Sequence, residues 1–268
     1  GFLSMIVILA IQALFFADGG LLALGANVWN MAFYGCFVGY FLIYRPLMQG
    51  RLLAGKGRTK LVLASVLGCV VTLQLGAFSV VVETSLSGIT ALPFGAFAAL
   101  MQPIHLAIGL VEGGITAAVL LFVYQTRPEL LQCASASGAK NRCSRRAALA
   151  ILAAAALVIG GGLSLLASAN PDGLEWSLFG NEEAGYSANM GLVEEAYGAE
   201  SAAAEKAAAV QEKTSLLPDY NFADSDSAAG TSVSGLVGCA LVAALAAIIS
   251  LAGRAARKRS GKKQASAG

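Results

Sequence analysis

Charged residues are scarce in this sequence. Asp, Glu, Lys and Arg make up 13% of its 268 residues, about half the usual share of a globular protein, whereas 57% are hydrophobic and the mean hydropathy is +0.69. This composition excludes a soluble domain. Histidine is scarcer still, since His105 stands alone. Residues 170–231 contain no cysteine, so no disulfide holds that segment.

Six apolar runs predict six transmembrane helices, because about 20 residues of helix cross about 30 Å of hydrocarbon. The runs are residues 1–17, 31–44, 61–82, 89–124, 147–169 and 233–253. Run 31–44 is short unless its helix begins earlier. Run 89–124 is too long for one helix, and we interpret it as a short exterior or re-entrant piece followed by a span that begins near Pro103. The sequence therefore predicts an all-α, polytopic transmembrane helical bundle with about six spans.

The two signs of charge are separated along the chain. Of the 18 Lys and Arg, 16 lie in residues 45–60, 127–146 and 254–263, whereas residues 170–231 hold 12 of the 16 acids. Because basic segments stay in the cytoplasm, the three basic segments and the C-terminus are predicted there, and six crossings then place the N-terminus there as well. Residues 170–231 are predicted to form one acidic extracytoplasmic loop. Within it, residues 199–213 have good helix formers and no strong apolar face, which predicts a surface helix or a linker. We expect the basic tail to touch anionic lipid and no nucleic acid to bind.

Polar residues interrupt the apolar sequence QALFFADGGLLALGANVWNM, residues 12–31. Asp18, a glycine pair, Asn27 and Asn30 fall where a membrane span would otherwise continue. Irregular polar backbone at membrane depth is tolerated where protein or a water-filled cavity surrounds it, which favours a functional site. The alternative is a short exterior turn in which Asp18 and the glycines act as ordinary helix breakers. Spacing alone leaves both interpretations open.

His105 and Glu112 lie seven residues apart in one predicted helix, on the same face. An intramembrane acid indicates a function by default. Their separation of about 10 Å along the helix is too great for both to hold one ion unaided. We favour a structural role, in which both bond to neighbouring helices while Gly109 and Gly113 permit close approach.

Three segments of the first half resemble the CbiM/NikM family, the membrane-embedded substrate-binding component of cobalt and nickel energy-coupling-factor transporters. They are QALFFADGG (12–20), LGANVWNM (24–31) and HLAIGLVEGGIT (105–116). In the second half, PDGLEW (171–176), LLPDY (216–220) and SGLVG (234–238) resemble the PDGLE domain, which accompanies these transporters as a fusion or as an N-type subunit. Its motif residues here are Pro171, Asp172, Gly173, Leu174, Glu175, Pro218, Asp219 and Tyr220.

The two resemblances divide the chain. We expect an N-terminally truncated CbiM/NikM-like membrane domain in residues 1–130 and a basic cytoplasmic linker in residues 131–146. A PDGLE domain with two spans and the exterior loop follows in residues 147–253, and a basic cytoplasmic tail in residues 254–268.

The resemblance implies a subunit of an ATP-driven uptake transporter in a bacterial or archaeal plasma membrane, not an enzyme. It captures Co²⁺ or Ni²⁺ from outside, needs no cofactor and has no catalytic residue. Its partners are an integral-membrane T component (CbiQ/NikQ-like) and ATPase subunits (CbiO/NikO-like). Residues 50–57, GRLLAGKG, lack the Ser or Thr of a phosphate loop, so this chain is not the ATPase. The alternatives are a membrane enzyme that uses Glu112, Asp18 or His105 as acid or base, and a scaffold that presents the exterior loop.

The sequence departs from the family in its metal ligands. The resemblance implies nitrogen ligands from an N-terminal Met-His and from an upstream histidine, and such donors suit cobalt and nickel. This sequence starts at Gly1 without them. We therefore expect the principal ligands upstream of Gly1, absent from this chain. Asp18, Asn27, Asn30, His105 and Glu112 remain candidates for lining or supporting the metal pocket, and the first three are expected to shape its roof or to hold the missing N-terminal loop.

Overall fold

The computed structural model describes residues 1–49, 57–87, 93–131, 143–166, 202–222 and 227–265. Every regular element within these ranges is helical. The helices are α1 (Phe2–Phe15), α2 (Leu24–Met48), α3 (Gly57–Ser87), α4 (Phe94–Thr126), α5 (Arg145–Gly161), α6 (Ala202–Thr214) and α7 (Ala228–Ala265), with 3₁₀ turns at Pro128–Leu130, Leu163–Leu166 and Pro218–Tyr220. The predicted all-α class is confirmed.

Five helical segments are long and apolar enough to cross a bilayer. They are α2, α3, α4, Arg145–Leu166 and Ala228–Gly253, and they correspond to five of the predicted spans. The first predicted span, residues 1–17, forms α1, whose 14 residues extend about 21 Å and fall short of the hydrocarbon thickness. The chain is a multi-pass helical membrane protein.

The polar interruption is a turn followed by a regular helix. Residues 16–23 connect α1 to α2, with positive φ at Ala17, Gly19 and Gly20. Since α2 already begins at Leu24, Asn27 and Asn30 project from a helix instead of from irregular backbone. The earlier helix start also gives the short run 31–44 the length of a span. Hydrogen bonds along Val28–Tyr44 follow the wider π-helical pattern, which is rare over so long a segment.

The prediction that a span begins near Pro103 is wrong. α4 starts at Phe94, directly after Pro93, and Pro103 lies inside it. An interior proline removes one backbone N–H from the helix, and packing against neighbouring helices helps such a helix to continue in a membrane. Here the Nε2 of Gln74 in α3 donates to the carbonyl of Gln102 at 2.8 Å, and the Nε2 of Gln102 donates to the carbonyl of Gln74 at 3.3 Å. This reciprocal pair holds α4 against α3 beside the proline.

Helix α3 lies between α2 and α4 and contacts both closely. A Cβ added at Gly113 of α4 would lie 2.7 Å from the Cα of Val66, and one at Gly109 would lie 3.0 Å from the Cα of Val70. The expectation that Gly109 and Gly113 permit close helix approach is confirmed. On the other side of α3, a Cβ at Gly76 would lie 2.5 Å from the backbone carbonyl oxygen of Asn30 in α2.

Helix α7 joins the second half of the chain to the first. It pairs with α5, where Ser232 donates to the carbonyl of Gly161 at 2.8 Å. It also contacts α1, because Val237, Leu241 and Val242 lie against the buried cluster of Ile11, Phe16 and Leu217. Helix α6 has no buried residue, as predicted for a surface helix. The motif residues 171–175 lie outside the described residues.

Candidate functional site at the junction of α1, α2 and the LLPDY segment

The LLPDY segment, residues 216–220, caps the end of α1. The last carbonyls of a helix have no partner within it and need donors from elsewhere. The backbone N–H groups of Leu216 and Leu217 donate to the carbonyl of Phe15 at 3.1 and 3.3 Å, and that of Asp219 donates to Phe16 at 2.9 Å. The motif that marks the second half of the chain thus completes a helix of the first half.

Side chains reinforce this contact. Leu217 is 8% exposed and lies against Ile11 and Phe16, whereas its neighbour Leu216 is 66% exposed. The Tyr220 ring stacks on Phe16 with centroids 4.7 Å apart and an interplanar angle of 22°. Apolar burial and aromatic stacking therefore hold the LLPDY segment on α1.

Asp18 is the polar centre of the junction. Its Oδ2 accepts from the Nε2 of Gln12 at 2.7 Å and from the hydroxyl of Tyr220 at 2.5 Å. Burial, followed by the hydrogen bond and negative charge of Asp18, raises the pKa of Tyr220 above its usual value. Through the hydrogen bond from Tyr220, Asp18 links α1 to the LLPDY segment.

Backbone strain is concentrated in the same two turns. Ala17, Asp219 and Tyr220 have φ values of 55°, 48° and 58°, in the left-handed region that side chains rarely adopt. Each such residue costs about 1–3 kcal/mol and persists where surrounding contacts hold it. The bonds to Asp18 and Phe16 supply such contacts.

Two amide side chains tie the turn to its surroundings. Gln211 of α6 donates to the carbonyl of Ala13 at 3.0 Å and accepts from the N–H of Leu21 at 3.0 Å. Asn27 donates to the carbonyl of Gly19 at 3.0 Å. Gly19 is required there because its φ is +77° and a Cβ would lie 3.3 Å from Asn27. No sequence signal distinguished Gln211 from other residues of the acidic loop.

Asn30, one turn after Asn27, faces α3 instead of the turn. Its Nδ2 donates to Oε2 of Glu83 at 2.9 Å, and the Ser79 hydroxyl donates to Oε1 of Glu83 at 3.1 Å. Asn30 is 7% exposed, and its Oδ1 is buried without a hydrogen-bond partner. Sequence reasoning missed Glu83, although an acid at the end of a long apolar run is a usable signal.

The structure does not bring His105 and Glu112 to this junction. His105 lies partly buried on α4, and its Nδ1 donates to the carbonyl of Met101, 2.8 Å away in the same helix, so the expectation that it bonds to a neighbouring helix is wrong. Glu112 lies on an exposed face of α4. A groove of about 420 Å³ between α2, α3 and α4 contains neither, and small or hydroxyl residues such as Gly35, Ser65, Gly68 and Thr116 line it. The described part of the chain contains no group of three His, Cys, Asp or Glu residues able to hold a metal ion.

Comparison with known proteins decides the family. The family described as "Cobalt uptake substrate-specific transmembrane region" (CbiM) matches residues 1–130, and the PDGLE domain family matches residues 146–255. A protein of Archaeoglobus fulgidus that is named as a fused nickel transport protein, NikMN, is 33% identical over 247 residues, 91% of this chain and 70% of that protein. This chain belongs to the CbiM family and carries a fused PDGLE domain. Both resemblances noted in the sequence are confirmed.

Two other members match a smaller part of the chain. The cobalt transport protein CbiM of Sorangium cellulosum is 36% identical over 129 residues, 48% of this chain and 56% of that protein. The cobalt transport protein CbiM of Geobacter sulfurreducens is 34% identical over 157 residues, 55% of this chain and 42% of that protein. The chain thus spans about half the length of these two CbiM relatives. No solved structure matches it.

Proposed function

We propose that this chain is the substrate-binding membrane component of an uptake transporter for nickel or cobalt ions, and not an enzyme. The observation that carries this proposal is the similarity along 91% of the chain to a protein named for nickel transport. The geometry agrees with binding more than with catalysis. Asp18, Asn27 and Asn30 are each engaged in hydrogen bonds that hold a turn or a helix in place, and none of these bonds joins a histidine.

The asparagine end of α2 faces the outside in this proposal. Helix α3 begins beside Arg58 and Lys60, which favour the cytoplasmic side, and reaches Glu83 after 26 residues, or about 39 Å. Asn30 contacts Glu83 at that far end. The metal ion would therefore meet this end first and pass inward, driven by a separate T component and ATPase subunits.

Uptake in living cells tests the proposed function. The complete gene, expressed with genes for a T component and the ATPase subunits in cells that lack their own high-affinity nickel and cobalt uptake, is expected to confer accumulation of radioactive Ni²⁺ or Co²⁺. Cells without this chain provide the control. Equal accumulation in both would contradict the proposal and would leave the enzyme and scaffold alternatives.

Labelling with a membrane-impermeant thiol reagent tests the orientation. In a background without the five native cysteines, Ala209→Cys in α6 is expected to react in intact cells, whereas Thr59→Cys at the start of α3 reacts only after the membrane is opened. Both positions are exposed, so accessibility to the reagent depends on the side of the membrane. The opposite pattern would refute the proposed topology.

Asn27→Ala and Asn30→Ala are expected to lower metal uptake per folded molecule. Asn27→Ala releases the Gly19 carbonyl and Asn30→Ala releases Glu83, each at a cost of about 1 kcal/mol in stability. Gln102→Ala is the matched control, because it also removes an interhelical amide bond but lies on the α3–α4 side. Uptake and the amount of folded protein are measured together. If all three variants lose uptake only in proportion to folded protein, Asn27 and Asn30 are structural.

A further inference from the structure

We propose that Asn30, Glu83 and Ser79 form an oxygen-donor site for the divalent cation, at the outer end of the seam between α2 and α3. The inference rests on the proposed function and names three residues that the cation meets. It concerns a transient site along the path of the ion, separate from the nitrogen ligands implied by the family resemblance.

The first supporting observation is the charge of Glu83. Its half-buried carboxylate accepts hydrogen bonds from two neutral groups, the Asn30 amide at 2.9 Å and the Ser79 hydroxyl at 3.1 Å. Within the described ranges, no Lys or Arg forms an ion pair with it. Neutral donors solvate a carboxylate but leave its negative charge uncompensated, and a partly buried charge is usually paired or coordinates a cation. A cation supplies the missing charge.

The second observation is the unsatisfied oxygen of Asn30. The side chain is 7% exposed, and no donor reaches its Oδ1. Because no donor holds Oδ1, rotation of the amide breaks only the bond from Nδ2 to Glu83. Half a turn about the last side-chain bond exchanges Oδ1 with Nδ2, because the two ends of a carboxamide have the same shape. The oxygen then lies where Nδ2 now lies, 2.9 Å from Oε2 of Glu83.

The two separations suit a cation that both carboxylate oxygens of Glu83 contact, with Asn30 beside Oε2 and Ser79 beside Oε1. Adjacent ligands of an octahedral ion with metal–oxygen distances of about 2.1 Å are about 3.0 Å apart. The Asn30–Glu83 and Ser79–Glu83 separations are 2.9 and 3.1 Å. Both Ser79 and Glu83 belong to α3, and Asn30 is fixed against the same helix by the contact of its backbone with Gly76. The helices therefore fix where the three side chains lie, the Asn30 amide rotates to present its oxygen, and water completes the coordination of the ion.

The ligand type defines what this site can do. Carboxylate, carboxamide and hydroxyl oxygens are hard donors that bind Co²⁺ and Ni²⁺ less tightly than imidazole and distinguish them poorly. A single carboxylate also keeps the affinity low. Such a site attracts the ion and releases it again, as transport requires, while the choice of metal is made by other ligands.

Trp29 provides a local reporter, since it neighbours Asn30 and the only other tryptophan is Trp176. In a Trp176→Phe background, the intact chain in lipid nanodiscs is titrated with Co²⁺ alone, which quenches nearby tryptophan emission by short-range energy transfer. Saturable quenching is expected. Glu83→Gln, which preserves shape and removes charge, is expected to weaken it by about 10-fold or more, and Ser79→Ala by less.

Two matched controls separate this site from general effects. Glu112→Gln removes the acid on the exposed face of α4, and Ser85→Ala removes a hydroxyl that bonds to its own helix at Val81. Neither is expected to shift the titration. An exchange variant, Glu83→Gln with Asn30→Asp, keeps one carboxylate and one carboxamide and is expected to restore most of the Co²⁺ affinity, which a folding defect in the single variant would not allow.

Three results would overturn the inference: quenching that never saturates, an unchanged Co²⁺ affinity in Glu83→Gln, or equal weakening by Glu83→Gln and Glu112→Gln. Each leaves the proposed function standing if cells that express the wild-type chain still accumulate metal. Loss of accumulation by the wild type would instead contradict the proposed function, whatever the nanodisc titration shows.

Discussion

Leu217→Asp is expected to release the LLPDY segment from α1 and to reduce metal uptake at least 10-fold. Leu217 is almost fully buried against Ile11 and Phe16, and burial of a leucine side chain contributes about 1.5–3 kcal/mol. That loss alone shifts the ratio of docked to released segment about 10- to 100-fold. A carboxylate without a partner adds a desolvation cost in the same direction. Because Tyr220 follows in the same segment, its bond to Asp18 should be lost as well.

Leu216→Asp is the matched control, since Leu216 is exposed and places its charge in water. In a background without the five native cysteines, docking is measured by joining Leu21→Cys to Gln211→Cys with a short bifunctional thiol reagent, because the Gln211 side chain reaches the N–H of Leu21 at 3.0 Å and both positions are partly exposed. Cross-linking is expected in the parent and with Leu216→Asp, and not with Leu217→Asp. Normal uptake by a Leu217→Asp protein that no longer cross-links would show that docking is dispensable for transport.

The sequence predicted the helices well where composition alone decides them. Apolar runs predicted all five spans, although only three of those runs are about 20 residues long, because in a bilayer every backbone polar group must be paired within the segment. Pro103 misled the prediction, since proline suits a helix start and is also tolerated inside a membrane helix that packs against a neighbour. The contact beside Pro103 depends on Gln74, which is 28 residues away and has no sequence pattern that points to Gln102.

In the candidate site, the sequence indicated some of the residues but not the contacts that they make. Asp18, Asn27 and Asn30 stood out because they are polar within apolar sequence, and the motif resemblance marked Tyr220. Their partners were not predictable. Tyr220 lies 202 residues from Asp18, and Glu83 lies 53 residues from Asn30. Pairing over such distances depends on how the helices are arranged, which periodicity does not encode.

Gly235→Ala is expected to disturb the pairing of α5 with α7 more than any other single methyl group added to α7. A Cβ at Gly235 would lie 2.0 Å from the carbonyl oxygen of Gly160, so the two backbones must move apart. Overpacking of this kind costs about 1–3 kcal/mol, and separation of the helices would also break the bond from Ser232 to Gly161.

Gly253→Ala is the matched control, because it makes the same change in the same helix and its Cβ would meet nothing within 4 Å. Both substitutions favour helix formation equally, so the difference between them reports contact alone. Unfolding of the purified chain by increasing amounts of sodium dodecyl sulfate measures that difference. Equal stability of the two variants would mean that α5 and α7 are not in contact at Gly160 and Gly235 in the membrane.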